Sequence, residues 1–268
     1  MWVFVVGLAM VGAGVWAHRA SRSRRCARTA SWLLAAALVV PVAAFVAYYT
    51  HIADAIWYYE WRSWPSTDLL APLCGFSAGM LGAAMQGSHP GAAPESTRRL
   101  ASAVLTGAVL TTLALGLANA RPWWRPLPLD QLQDRWMDGV CLQSTPATCG
   151  PCAAATALRQ LGRDASEADL AREAATDTGG TLNWLLVRAL RDRGVTARLT
   201  APDRLDEVRP PAIIGVLLPT GVGHYVAYLG RERGRHLVGE PLVGPLRLSD
   251  EAFAERYRFE RFAVELSD

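Results

Sequence analysis

Four apolar runs, residues 2–17, 32–50, 69–88 and 100–120, fill most of the first 120 residues and contain no charged side chain. They are 16 to 21 residues long. A helix of about 20 residues crosses the ~30 Å hydrocarbon core of a bilayer, so the last three have spanning length and the first sits at the lower limit. Four such runs in succession, separated by short charged loops, predict an all-α transmembrane bundle over residues 1–120 rather than the core of a globular domain. A secretory signal is the competing reading of the first run. That run lacks a positive stretch ahead of it, and its charges, from His18 to Arg28, follow instead.

Arginine placement sets the expected orientation. The 18–31 loop carries five arginines, the 89–99 loop carries Arg98 and Arg99, and the 51–68 loop carries only Arg62. Positive loops stay cytoplasmic, so the 51–68 loop and everything after residue 120 are expected outside a cell (inner) membrane, with the protein multi-pass. Tyr48, Tyr49, Trp57, Tyr58, Tyr59, Trp61, Trp64, Trp123 and Trp124 fall where an outer aromatic belt would sit. No Asp, Glu, Lys, Arg or His lies within a run, which argues against a transport pathway and for an anchor in the lipid bilayer. Gly75 and Gly79 form a small-residue face suited to packing within the bundle, self-association or association with another membrane protein. The net charge of +3 arises in the first half, and nucleic-acid binding is not implied.

After a Pro/Trp-rich linker over 121–136, residues 137–268 are long enough for one domain with its own core. Helical patterns cover 149–160, 166–175, 181–193 and 249–257, with Ser166 and Ser249 as N-caps. Strand patterns follow at 195–200, 212–219, 224–230, 235–240, 245–248 and 262–266, broken by Gly and Pro. Helices first and then an antiparallel sheet is an α+β plan with two segregated layers. Residues 134–148 read as polar and turn-like.

The chemistry concentrates in three segments: Gln143-Ser-Thr-Pro-Ala-Thr-Cys149-Gly-Pro-Cys152, Gly223-His224-Tyr-Val-Ala-Tyr228 and Gly239-Glu240-Pro241. Cys149 opens a helix, where backbone N–H groups and the helix dipole favour a thiolate. His224 begins one expected strand and Glu240 ends the next, so an antiparallel hairpin brings them side by side. These are the parts of a cysteine peptidase: Cys149 as nucleophile, His224 as base, Glu240 orienting the imidazole and the Gln143 amide holding the oxyanion. No metal or organic cofactor is required, and the partner is a peptide or protein substrate.

Other readings compete. Cys149-Gly-Pro-Cys152 is also the signature of thiol–disulfide oxidoreductases, but the thioredoxin fold needs a buried strand entering that helix. A catalytically idle peptide-binding domain is a third reading. His236 is the rival histidine, mid-strand and without an acid at an obvious spacing. Cys152 reads as a small core residue, and Cys141 has no assignable role. Three exterior cysteines cannot all pair within one molecule.

On these motifs, residues from about 137 to 266 resemble the papain-like cysteine peptidases that process bacteriocin precursors by cutting after a double-glycine leader. The resemblance rests on Gln143 six residues before Cys149, the Gly after that Cys, and an alanine-rich helix. Gly180-Thr-Leu-Asn-Trp-Leu, His224-Tyr-Val-Ala and Glu240-Pro241-Leu-Val-Gly244 complete it. It implies a papain-like α+β peptidase fold and the same four site residues. Two departures stand out: Glu takes the place of Asp as orienter, and the more familiar members sit on the cytoplasmic side of ATP-driven exporters, whereas this domain is expected outside. Double-glycine specificity is therefore not carried over.

Overall fold

The computed structural model describes residues 56–65 and 121–268. The four apolar runs and the Gly75/Gly79 face lie outside the described residues. Among the described residues, no helix is long and apolar enough to cross a membrane. One compact unit is formed by Ile56–Trp64 together with Pro122–Asp268.

The first element of this unit is α1, Ile56–Ser63. A short antiparallel hairpin follows the linker, β1 Arg135–Met137 and β2 Val140–Leu142. Three helices come next: α2 Cys149–Gln160, α3 Glu167–Glu173 and α4 Asn183–Asp192. The remainder is β3 Thr196–Thr200, β4 Ala212–Leu217, β5 Gly223–Glu232, β6 Arg235–Glu240, β7 Gly244–Leu248, α5 Asp250–Arg256 and β8 Arg258–Ser267. Strands β3 to β8 make one antiparallel sheet in the order β3-β8-β4-β5-β6-β7. This is the expected α+β domain.

Local chemistry explains the boundaries. Ser166 and Ser249 accept the backbone N–H groups of Asp169 and Ala252, capping α3 and α5 as their sequences require. The hairpin corrects the reading of residues 134–148 as merely polar and turn-like. Asp138 and Gly139 both take positive φ, 44° and 83°, the pairing that a two-residue hairpin turn demands.

The sheet is covered on both faces, so the two-layer plan is incomplete. On one face, Ile214, Val226 and Val238 pack with Phe253 and Tyr257 from the region of α5. On the other lies α2, buried along its length from Cys149 to Leu158. Its alanines permit close approach, and Gly239 of β6 permits more: a Cβ there would lie 2.7 Å from Thr156 Cγ2.

Helix α1 was expected in an exterior loop, and the structure gives it a docking site. Tyr59 stacks on Trp184 of α4 with centroids 6.4 Å apart and meets Phe262 of β8 edge-on at 6.0 Å. Arg188 donates to the carbonyls of Arg62 and Ser63 at 3.0 and 3.2 Å, meeting the orphan acceptors at the helix C-terminus. Arg191 pairs with Glu60 at 2.8 Å. Tyr58 and Tyr59 are therefore buried core residues rather than members of an interfacial belt. Trp57, Trp64, Trp123 and Trp124 remain exposed.

Candidate active site

Cys149 is the first residue of α2 and is nearly buried. Its place follows from the preceding turn: Thr148 donates its hydroxyl to the Thr145 carbonyl at 3.0 Å, and the Thr148 carbonyl starts the helix by accepting from Cys152 at 3.1 Å. His224 is the second residue of β5 and Glu240 the last of β6, and the β5–β6 hairpin joins them at one end of the sheet. His224 Nε2 lies 2.6 Å from Glu240 Oε1. The Cys149 side chain is the other group that acts on the charge of His224. The structure thus brings three of the four expected residues together.

Glu240 is fully buried, and every partner it has favours the carboxylate. The Leu242 N–H donates to Oε1 at 3.0 Å, and the Tyr257 hydroxyl donates to Oε2. Burial alone would raise the Glu240 carboxyl, but the hydrogen bond and charge of His224, then Tyr257 and Leu242, hold it below the usual range. Burial likewise works to discharge His224. It is outweighed by hydrogen bonds to Cys149 and Glu240 and by their negative charge, and the imidazolium is pushed up to about 9. The arrangement can hold a proton on His224 at neutral pH beside a sulfur.

Glu240 leads directly into the Pro241–Gly244 turn. Val243 N–H donates back to the Glu240 carbonyl at 3.2 Å, and Gly244 takes φ of 97°. Tyr257 was missed as a site residue: its role is visible only once the chain past α5 folds over Glu240, and no spacing in the sequence announces it.

Gln143 follows β2. Its backbone N–H donates to the Pro241 carbonyl at 2.9 Å, beside the turn that follows Glu240. Its side-chain Nε2 donates to the Thr145 carbonyl at 2.8 Å, which leaves one amide hydrogen uncommitted. The segment between Gln143 and Cys149 is anchored by Glu167, a fully buried carboxyl that accepts from Ser144 N–H at 2.7 Å and Ser144 Oγ at 2.5 Å.

His236 stands near the opposite end of β6 and takes no part. Contrary to expectation it does have an acid: Asp250, the first residue of α5, lies 2.7 Å from Nε2. Cys152 is buried, as expected of a core residue, and its sulfur lies 3.1 Å from that of Cys141.

Among known proteins, the model of the Peptidase C39 family matches residues 139–265. An uncharacterized protein of Methanothermobacter marburgensis is 32% identical over 126 residues, covering 47% of this chain and 87% of that one. Its counterpart in Methanothermobacter thermautotrophicus is 30% identical over the same shares. A solved peptidase domain of Streptococcus ComA, a bi-functional ABC transporter involved in a quorum sensing pathway, overlays with a TM-score of 0.42 at 24% identity. That overlay covers 47% of this chain and 95% of the other. The cysteine-headed helix and strands β2 to β7 fall within the matched stretch, with all but the last two residues of β8. Through residues 139–265 the chain belongs to the Peptidase C39 family and is a cysteine-type peptidase.

Proposed function

We propose that this chain is a multi-pass membrane protein whose exterior domain hydrolyses peptide bonds in small secreted or membrane-proximal precursors, with Cys149, His224, Glu240 and Gln143 as its machinery. In this reading residues 1–120 anchor the protein, 121–136 link, and 137–268 carry the reaction. The observation that carries the mechanism is the buried Glu240–His224 pair, 2.6 Å apart, whose imidazolium is favoured by Cys149 at the tip of α2 as well as by Glu240.

The Cys149 thiolate attacks the scissile carbonyl carbon, and the carbonyl electron pair moves onto oxygen. The free hydrogen of the Gln143 amide and the Cys149 backbone N–H receive that oxyanion. His224, held as imidazolium by Glu240, gives its proton to the departing amine, leaving a thioester on Cys149. Neutral His224 then takes a proton from water, the hydroxide adds to the thioester, and the carboxylic product leaves as the thiolate is regenerated. Exposed Val222, Leu242, Val243 and Met137 favour a substrate with apolar residues near the cleaved bond.

The docking of α1 on α4 supports an anchor reading in which the 51–68 loop and the domain share one side of the membrane. The test is cleavage of peptides by the full chain in detergent. Cys149→Ala is expected to abolish turnover and Cys152→Ala largely to retain it. Equal loss from both changes, together with thiol–disulfide exchange by the wild type, would overturn the peptidase mechanism in favour of an oxidoreductase.

A further inference from the structure

The spacing Cys149-Gly-Pro-Cys152 suggests that these two sulfurs are each other's partners. The fold gives Cys152 a different one. Its Sγ lies 3.1 Å from Cys141 Sγ, with both residues fully buried where β2 crosses α2. A neighbouring hydrogen bond ties the two elements together: the Cys141 backbone N–H donates to the Thr156 side-chain Oγ1 of α2 at 2.9 Å, one turn beyond Cys152. Cys149, by contrast, stands at the helix tip, where it favours the charged form of His224.

We propose that Cys141 and Cys152 form a disulfide when the chain folds in an oxidising medium, and that this bond keeps Cys152 from capturing Cys149. The oxidant is an external disulfide, RSSR. One thiolate of the pair attacks it to give a mixed disulfide and one RSH. The second thiol displaces the remaining RS group, giving Cys141–S–S–Cys152 and a second RSH, so two electrons and two protons pass to RSSR. Burial first, and then the hydrogen bond with Cys141 and the charge of Cys141 and Glu167, hold Cys152 as a thiol in the finished fold. The exchange therefore completes while β2 and α2 still admit solvent.

The benefit to the site is specific. A Cys-x-x-Cys pair at a helix tip is competent to close on itself, and a Cys149–Cys152 bond would remove the nucleophile. Committing Cys152 to Cys141 leaves Cys149 as the one free thiol of the three. The role assigned to Cys149 rests on the mechanism above, but the pairing can be read without any substrate.

The experiment uses the full chain synthesised in a glutathione redox buffer, with and without oxidised glutathione. Free thiols are alkylated with iodoacetamide in urea, disulfides are then reduced, and the released thiols are labelled with N-ethylmaleimide. All three cysteines fall in one tryptic peptide, 136–159, so fragment ions assign each label. The expected pattern under oxidised glutathione is carbamidomethyl on Cys149 and maleimide on Cys141 and Cys152. Maleimide on Cys149, or carbamidomethyl on all three, would overturn the proposal. Cys141→Ala is expected to move the maleimide onto Cys149 and Cys152 and to cut cleavage several-fold in a way dithiothreitol reverses. Cys141→Ala/Cys152→Ala is expected to restore the free Cys149 label. A chain that cleaves no peptide yet shows the expected labels defeats the mechanism and leaves the pairing standing.

Discussion

At the scale of single residues, the proposed mechanism depends on keeping His224 charged in a place that burial would otherwise discharge. Its value of about 9 lies above the ordinary 6.5, so the stability contributed by the imidazolium is present in full below about 6.5 and lost as pH rises through about 9. The cleavage rate should fall over the same upper window, because the proton owed to the leaving amine is gone. Thermal melts and pH–rate profiles of the full chain check both. Glu240→Gln removes the carboxylate that helps hold the proton, so both midpoints should move down toward 6.5. Midpoints that stay fixed in the variant would mean that Glu240 does not govern His224. Tyr257 enters the same balance, since its hydroxyl holds Glu240 ionised and is itself raised by burial and by that carboxylate.

At the scale of elements, the meeting of α2 with the sheet sets where the sulfur stands. Gly239 is the narrow point: a methyl there would meet Thr156 Cγ2 at 2.7 Å, Ala227 Cβ at 3.3 Å and Val140 Cγ2 at 3.4 Å. Gly239→Ala should cost about 1–3 kcal/mol by forcing helix and strand apart, and should lower turnover because Cys149 rides on the displaced helix. Thr156→Ser, which deletes Cγ2 but keeps the hydroxyl that accepts from Cys141, should recover most of that loss. Denaturation of the two single variants and the double variant measures it, and additive losses would place the strain elsewhere. Much of this layer was legible in the sequence. The 149–160 helix, the 235–240 strand and the serine caps follow from periodicity and N-cap chemistry. The β1–β2 hairpin was masked by its brevity, three residues to each strand, despite the Asp138-Gly139 turn signal. The second covered face escaped notice because α5 is short and its anchors, Phe253 and Tyr257, sit in a segment that reads as an ordinary amphipathic helix.

At the scale of the whole molecule, the domain is discontinuous in sequence. Pairings such as Tyr59 with Trp184, or Arg188 with the end of α1, join segments far apart along the chain, and no local pattern reveals them. The Sγ contact of Cys141 with Cys152 spans only 11 residues, but it depends on the β1–β2 hairpin laying Cys141 across α2, and that hairpin was not expected. The Cys149, His224 and Glu240 convergence was readable because each residue sits at the end of an element that the sequence announces. A fragment of residues 122–268 alone should uncover Trp184 and Phe262. It should be less stable by roughly 3 kcal/mol or more, about the value of one or two large buried side chains, and prone to associate. Adding a peptide of residues 56–64 should raise its melting temperature. An unchanged fragment would show that α1 is a passive guest.

This discontinuity also dictates an order of events during synthesis. The Arg188 contact to the Arg62 carbonyl spans 126 residues, so α1 emerges from the ribosome long before the surface that receives it exists. Until then its two tyrosines have no shelter from that surface, and the docking site is whole only after both α4 and Phe262 of β8 have been made.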